Sequence, residues 1–333
     1  RLAGQVGKTT MNTNMKSMMN VRTIFLLIAI LVDRPLPAFH AEAAPAKRLP
    51  NKSHPDGRTK KPGPEVVTPR KGGQTASALR ADDALPPFSW DHVPVYAHVG
   101  KASDDFTPEE LNFLAKHFDF ITIEKGQASR KYGNTEEGFA AAAREIKKRN
   151  PDAKVLFYWN ASLDSSTVRW GYKAVESFPA DGYLRDRKGN PVLRRKTVPN
   201  YDLRRPEVRD WWSDAAATAV REYGADGIFA DAMGDPPATN QKALTSETLR
   251  ELRAARRALM EETRRKIGDK LIVYNGLMKE NREKLLQVTD GAMIERFGHF
   301  NTGSSKEQIA EMIEATQAAG RDGSFVLLKA WPG

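Results

Sequence analysis

An α/β fold of the TIM-type (β/α)8 barrel class is what the sequence predicts, and three observations predict it. From Val93 onward short apolar runs alternate with amphipathic segments, the pattern of repeating βα units around a parallel sheet. The runs are apolar almost throughout, as strands covered on both faces must be. The strand ends carry acids, amides and aromatics, where barrels of this class place their functional groups.

Seven strands are predicted: Pro94–Val99, Phe120–Glu124, Lys154–Trp159, Gly227–Asp231, Leu271–Asn275, Gly291–Arg296 and Ser324–Leu328. Only seven βα units are visible before the sequence reaches Trp331-Pro332-Gly333, so the expectation is a barrel incomplete at its C-terminal side, with an edge that another segment or chain would have to cover. A doubly wound sheet is the competing architecture. Its dinucleotide form needs a Gly-x-Gly-x-x-Gly turn after the first strand, and Val99-Gly100-Lys101-Ala102 does not supply one.

The helices carry their own punctuation. Thr107-Pro108-Glu109-Glu110 supplies an N-cap, a proline for the first turn and a capping-box glutamate ahead of Leu111, Leu114 and Phe118. Pro206 opens a helix whose Val208, Trp211, Ala215, Ala219 and Tyr223 form one apolar stripe, closed by Gly224. A third helix from about Thr245 to Ile267 turns Leu249, Leu252, Leu259 and Met260 inward. Between the third and fourth strands, Tyr183 to Arg195 reads as a hairpin excursion with a Gly189-Asn190 turn.

Upstream, the composition changes. Lys16 and Arg22 precede the apolar run Thr23 to Val32, and Ala41-Glu42-Ala43 follows, the order of a secretory signal within residues 1–44. An uncleaved membrane anchor is the alternative, although the run is short for a bilayer span; no span is expected in the mature form. Met11, Met15, Met18 and Met19 all precede the signal. Residues 45–88, with Lys60-Lys61-Pro62-Gly63-Pro64 at their centre, read as a disordered linker. The folded domain is expected over 89–333.

The net charge of +10 sits in the tail. Residues 1–90 hold 14 Lys and Arg against 6 Asp and Glu, and the rest is nearly balanced at 38 against 36. A fold that binds nucleic acid needs the surplus on its folded face, so no nucleic-acid partner is expected. With no cysteine in the chain, disulfides, thiolate metal sites and cysteine nucleophiles are excluded. His98, His117 and His299 fall on separate elements without ligand spacing, so neither a metal nor another cofactor is expected.

Asp231 and Glu295, ending the fourth and sixth strands, form the sharpest pair, because glycosidic cleavage uses one carboxylic acid to protonate the leaving oxygen and one carboxylate to attack carbon or activate water. Structural roles compete at each. Asp231 could cap a helix or anchor its loop, Glu295 could pair with Arg296 or another barrel cation, and Glu124 could serve Lys125. Trp159, Asn160, Tyr201, Asp202, Asn275 and Trp331, with Glu124, are the candidates for holding a sugar, by ring stacking and hydroxyl hydrogen bonds. For Asp202, capping the Pro206 helix is the favoured reading.

The stretch Gly227-Ile228-Phe229-Ala230-Asp231, the upstream Asn200-Tyr201-Asp202 with Trp211-Trp212, Val273-Tyr274-Asn275-Gly276, and Asp290-Gly291-Ala292-Met293-Ile294-Glu295 together resemble the glycoside-hydrolase families grouped as hypothetical glycosyl hydrolase family 15 and its relatives, over about residues 89–333. The resemblance implies a (β/α)8 barrel. By analogy with retaining barrel glycosidases such as dextranases and α-galactosidases, it implies Asp231 as nucleophile and Glu295 as acid/base. Two rival functions stand beside an exported glycosidase: a carbohydrate-binding protein without turnover, favoured by the missing eighth unit, and a barrel lyase or deacetylase, which would more naturally show a metal-ligand cluster or a placed base.

Overall fold

The computed structural model describes residues 24–28, 94–164, 170–277, 282–297 and 305–330. The predicted strands form β2 (Tyr96–Val99), β3 (Phe120–Ile123), β4 (Lys154–Asn160), β7 (Gly227–Asp231), β8 (Leu271–Asn275), β9 (Gly291–Ile294) and β10 (Phe325–Ala330). All pair in parallel, in the spatial order β10-β9-β8-β7-β4-β3-β2, and β5 (Leu193–Arg194) and β6 (Val198–Pro199) make a separate antiparallel ribbon. An eighth parallel strand, β1 (Ile24–Ile28), runs alongside β10 from Ile24 opposite Val326 to Ile28 opposite Ala330. It also lies beside β2 without a ladder between them, so the sheet curls into a nearly closed barrel. The eighth place is thus taken by part of the apolar run in which the sequence reads an export signal. The 45–88 linker lies outside the described residues.

Between the strands come α1 (Pro108–His117), α2 (Ser129–Tyr132), α3 (Thr135–Arg149), α4 (Pro206–Arg221), α5 (Ala238–Gln241), α6 (Ser246–Ile267), α7 (Arg282–Leu285) and α8 (Lys306–Arg321). Among the described residues no helix is long and apolar enough to cross a membrane. The Thr107–Glu110 capping box forms as predicted, and Thr245 caps α6. Asp202 is a correction: α4 begins after Arg205 with no side-chain cap. Asp202 instead grips the Arg204 guanidinium with both oxygens at 2.8 Å, a bidentate pair that outcompetes a distant helix end.

Strand pleat divides the apolar residues into two sets. Tyr96, Phe120, Leu156, Phe229, Leu271, Val273, Met293, Phe325 and Leu327 pack together as the barrel interior. Their neighbours Ile121, Val155, Phe157, Ile228, Ile272, Tyr274, Ala292 and Val326 face the helices in a second, larger core. Interior space is set by matched sizes: a Cβ on Gly291 would stand 2.7 Å from ring atoms of Phe325, so the smallest residue on β9 admits the aromatic of its neighbour.

Candidate active site at the strand ends

Continuing the inward register one step past the apolar interior gives His98 on β2, Asn160 on β4, Asp231 on β7, Asn275 on β8 and Lys329 on β10, with Glu124 and Glu295 directly after β3 and β9. The same two-residue period that builds the interior therefore crowns it with one polar layer at the C-terminal end.

Asp231 is held by three neutral donors. The Tyr158 hydroxyl and the Asn160 amide, at 3.2 Å, donate to Oδ2, and Asn275 donates to Oδ1 at 2.8 Å. Asn160 is oriented for this, because its own carbonyl oxygen accepts from the backbone N–H groups of Ser162 and Leu163 at 3.0 and 2.8 Å, leaving its NH2 to face the carboxylate. The Asn275 nitrogen also lies 3.2 Å from Glu295 Oε2. One amide thus spans both acids, and the two oxygens it touches stand no more than about 6 Å apart. Glu295 is about half exposed, and its other oxygen lies 3.4 Å from the nearly buried Lys329 ammonium, the barrel cation that the sequence left open as its partner.

The loops behind these groups are tightly set. Ala232 adopts φ 60°, left-handed and uncommon for a residue with a Cβ, and its carbonyl accepts from Ser162 Oγ at 2.7 Å. Gly276 has φ 113°, and a Cβ there would lie 3.0 Å from Gly234 N, so the loops after β7 and β8 touch. Farther along the β7 loop, Asp235 is clamped by Arg253 and by the buried Arg256, the latter at 2.9 Å. Against the burial that would raise it, these two guanidinium groups draw the Asp235 carboxyl below its ordinary range.

Across the mouth, Glu124 is gripped from two sides, by His98 Nε2 at 2.7 Å and Lys125 Nζ at 2.5 Å. His98 is backed by the Tyr96 hydroxyl at 2.9 Å. Burial alone would raise the Glu124 carboxyl, but His98 and then Lys125 outweigh it and hold it down to about 2. Tyr158 behaves oppositely: burial, then the Asp231 charge, push its phenol well above the usual range, so it stays protonated and donates.

Five of the sequence-predicted site residues therefore meet at one opening: Glu124, Asn160, Asp231, Asn275 and Glu295. Three do not. Trp159 follows the outward register, is 1% exposed and sits in the core against Trp211, Trp212 and Tyr172, where no sugar could stack on it. Tyr201, 3% exposed, is enclosed by Phe178, Tyr183 and Trp211, and Asp202 is engaged with Arg204. Trp331 lies outside the described residues. Sequence reasoning missed Tyr158, His98 and Lys329 as members of the layer. The signal that finds them is the two-residue period counted back from Asn160 and along β2 and β10. Among the described residues no group of three or more His, Asp or Glu side chains is arranged to hold a metal ion. A groove of about 740 Å³ between the Lys173–Ser177 turn and α4, lined by Glu136, Trp211, Asp214 and Tyr223, lies on the helical side and includes none of the strand-end layer.

A nearly closed parallel barrel whose C-terminal rim joins two carboxylates through one amide is a barrel of the glycoside-hydrolase type. A sequence profile described as hypothetical glycosyl hydrolase family 15 matches residues 147–330, more than half of the chain, and the chain belongs to that family. Among solved structures, the glycoside hydrolase domain of PelA from Pseudomonas aeruginosa aligns with a TM-score of 0.50 at 16% identity, over 71% of this chain and 84% of that one. The noncanonic maltogenic alpha-amylase AmyB from Thermotoga neapolitana aligns at 0.45 and 13% identity, over 70% of this chain and 57% of its own. At such identities the likeness to PelA is one of fold. No curated protein sequence matches the chain.

Proposed function

We propose that this protein cleaves O-glycosidic bonds of a poly- or oligosaccharide with retention of configuration. The observation that carries the reading is the Asn275 amide bridging Asp231 and Glu295. The spacing it imposes suits the roughly 5–5.5 Å of retaining enzymes better than the 6.5–9.5 Å of inverting ones. In this mechanism an Asp231 oxygen bonds to the anomeric carbon as the glycosidic C–O bond breaks, and the proton of Glu295 passes to the departing oxygen. Glu295 then takes a proton from water, the resulting hydroxide attacks the anomeric carbon, and Asp231 is released. Oδ1 carries one donor where Oδ2 carries two, which favours Oδ1 as the attacking atom. Among the described residues Asp231 has no cationic partner, whereas Glu124 and Glu295 each have a lysine; an unpaired carboxylate suits a site where positive charge develops on the sugar. Glu124, Asn160 and Asn275 would hold the sugar, with no cofactor and no nucleic-acid partner. Export to the periplasm or beyond is part of the same proposal and rests on the order of charges, apolar run and small residues before Ala44.

The test is hydrolysis of a broad glycan panel, with proton NMR on the first-formed product. Retention of the anomer supports the reading, and inversion removes Asp231 as nucleophile. Glycan binding without hydrolysis would instead assign a binding protein.

A further inference from the structure

Lys125 is a member of the mouth to which the proposed chemistry gives no task. It follows Glu124 at the end of β3, and a lysine there would ordinarily extend into water. Instead its ammonium is confined: 2.5 Å from Glu124 Oε2, 4.4 Å from the centroid of the Tyr158 ring and 4.9 Å from that of Trp170. Its side chain is 23% exposed and that of Glu124 19%. Tyr158 in turn donates its hydroxyl to Asp231 Oδ2. Two contacts therefore link a fixed positive charge to the carboxylate assigned the attack.

We infer that Lys125 is a positioning residue that acts on Asp231 through Tyr158, and the inference rests on the proposed role of Asp231. A cation over the face of a phenol is attracted by the ring's electron density. It holds the ring plane and draws density from the oxygen, making the O–H a better donor to Asp231. Glu124, anchored from below by His98, sets where the ammonium stands. The other charged or ionisable groups described around the opening include Glu295 on the β9 side, Lys329 on β10 and the Tyr96 hydroxyl, raised first by burial and then by the Glu124 and Asp231 charges. Lys125 combines positive charge with contact to a donor of Asp231.

Two rival roles have different signatures. A lysine that binds sugar hydroxyls acts on KM, and one that only neutralises Glu124 becomes dispensable once Glu124 is neutral. The experiment uses the full chain and the glycan that the parent protein hydrolyses, with K125M, K125R, Y158F, E124Q, K125M/Y158F and E124Q/K125M compared after thermal denaturation shows each to be folded. Positioning predicts that K125M lowers kcat about tenfold with KM changed by less than about twofold. K125R recovers most of the loss, K125M has no further effect in the Y158F background, and E124Q/K125M shows a kcat below that of the E124Q single variant by the factor seen for K125M in the parent. An increase in KM alone, an equal loss with and without the Tyr158 hydroxyl, or a kcat of E124Q/K125M equal to that of E124Q overturns the inference. A parent that hydrolyses nothing, or a D231N variant as active as the parent, overturns the glycosidase reading itself, and the inference falls with it.

Discussion

Asn160 and Asp231 stand opposite each other on the last rung of the β4–β7 ladder, and the amide of one donates to the carboxylate of the other at 3.2 Å. Together with Asn275 on the far side, this makes Asp231 the carboxylate fixed by neighbours on both adjoining strands. Asp231→Asn is therefore expected to lower hydrolysis by at least about a thousandfold. The new NH2 would face donors that now meet an oxygen, so a stability loss of about 1 kcal/mol accompanies it. Rates on the glycan panel and a urea titration check both; parental activity would remove Asp231 from the chemistry.

Asn275 touches both acids, so removing its amide separates them without removing either. Asn275→Ala is expected to reduce kcat by about a hundredfold with a smaller change in KM. Asn275→Asp adds a third carboxylate beside two others and should be at least as damaging. Steady-state kinetics distinguish this from a residue that only binds sugar, whose loss would fall mainly on KM.

The two-residue period of the strands sets how much of this layer is legible in the sequence. The strands announced themselves as apolar runs, and Asp231, Asn275 and Glu295 stood out as polar residues closing such runs. Trp159 was misplaced because an aromatic next to a strand end looks available to a ligand, while the pleat turns it to the helices and turns Tyr158 inward. Tyr201 and Asp202 misled because sequence proximity to α4 says nothing about the Phe178–Tyr183 packing or the Arg204 pairing that absorb them. Lys329 as partner of Glu295 required knowing that β9 and β10 are neighbours, which is tertiary information.

The Glu124 carboxyl lies near 2 in the folded protein against an ordinary 4.5. Between these values the unfolded chain binds more protons than the folded one, so stability rises with pH across that window. The contribution is complete above about pH 4.5 and is lost as pH falls toward 2, amounting to roughly 3 kcal/mol. Glu124→Gln should flatten this segment of the curve. Urea unfolding of parent and variant at several pH values measures it, and parallel curves would mean that His98 and Lys125 do not hold the charge.

Gly291 and Phe325 are matched across β9 and β10, with no room for a methyl group between them. Gly291→Ala should cost about 1–3 kcal/mol through overpacking, and Phe325→Leu in the same chain should return part of it by vacating ring volume. Denaturation midpoints of the single and double variants test the coupling; additive losses would mean the two residues do not share the space.

The export proposal and β1 make opposing demands on the same residues. A signal cleaved after the small residues at Ala41–Ala43 removes Ile24–Ile28, and with them the strand beside β10. Because the basic residues, apolar run and small residues occur in the order that export requires, the mature protein is expected to begin beyond Ala43 and to be recovered outside the cytoplasm. Intact mass and N-terminal sequencing of the protein from fractionated cells decide it. A mature chain that still contains Ile24–Ile28 would refute cleavage and leave β1 paired with β10 in the barrel.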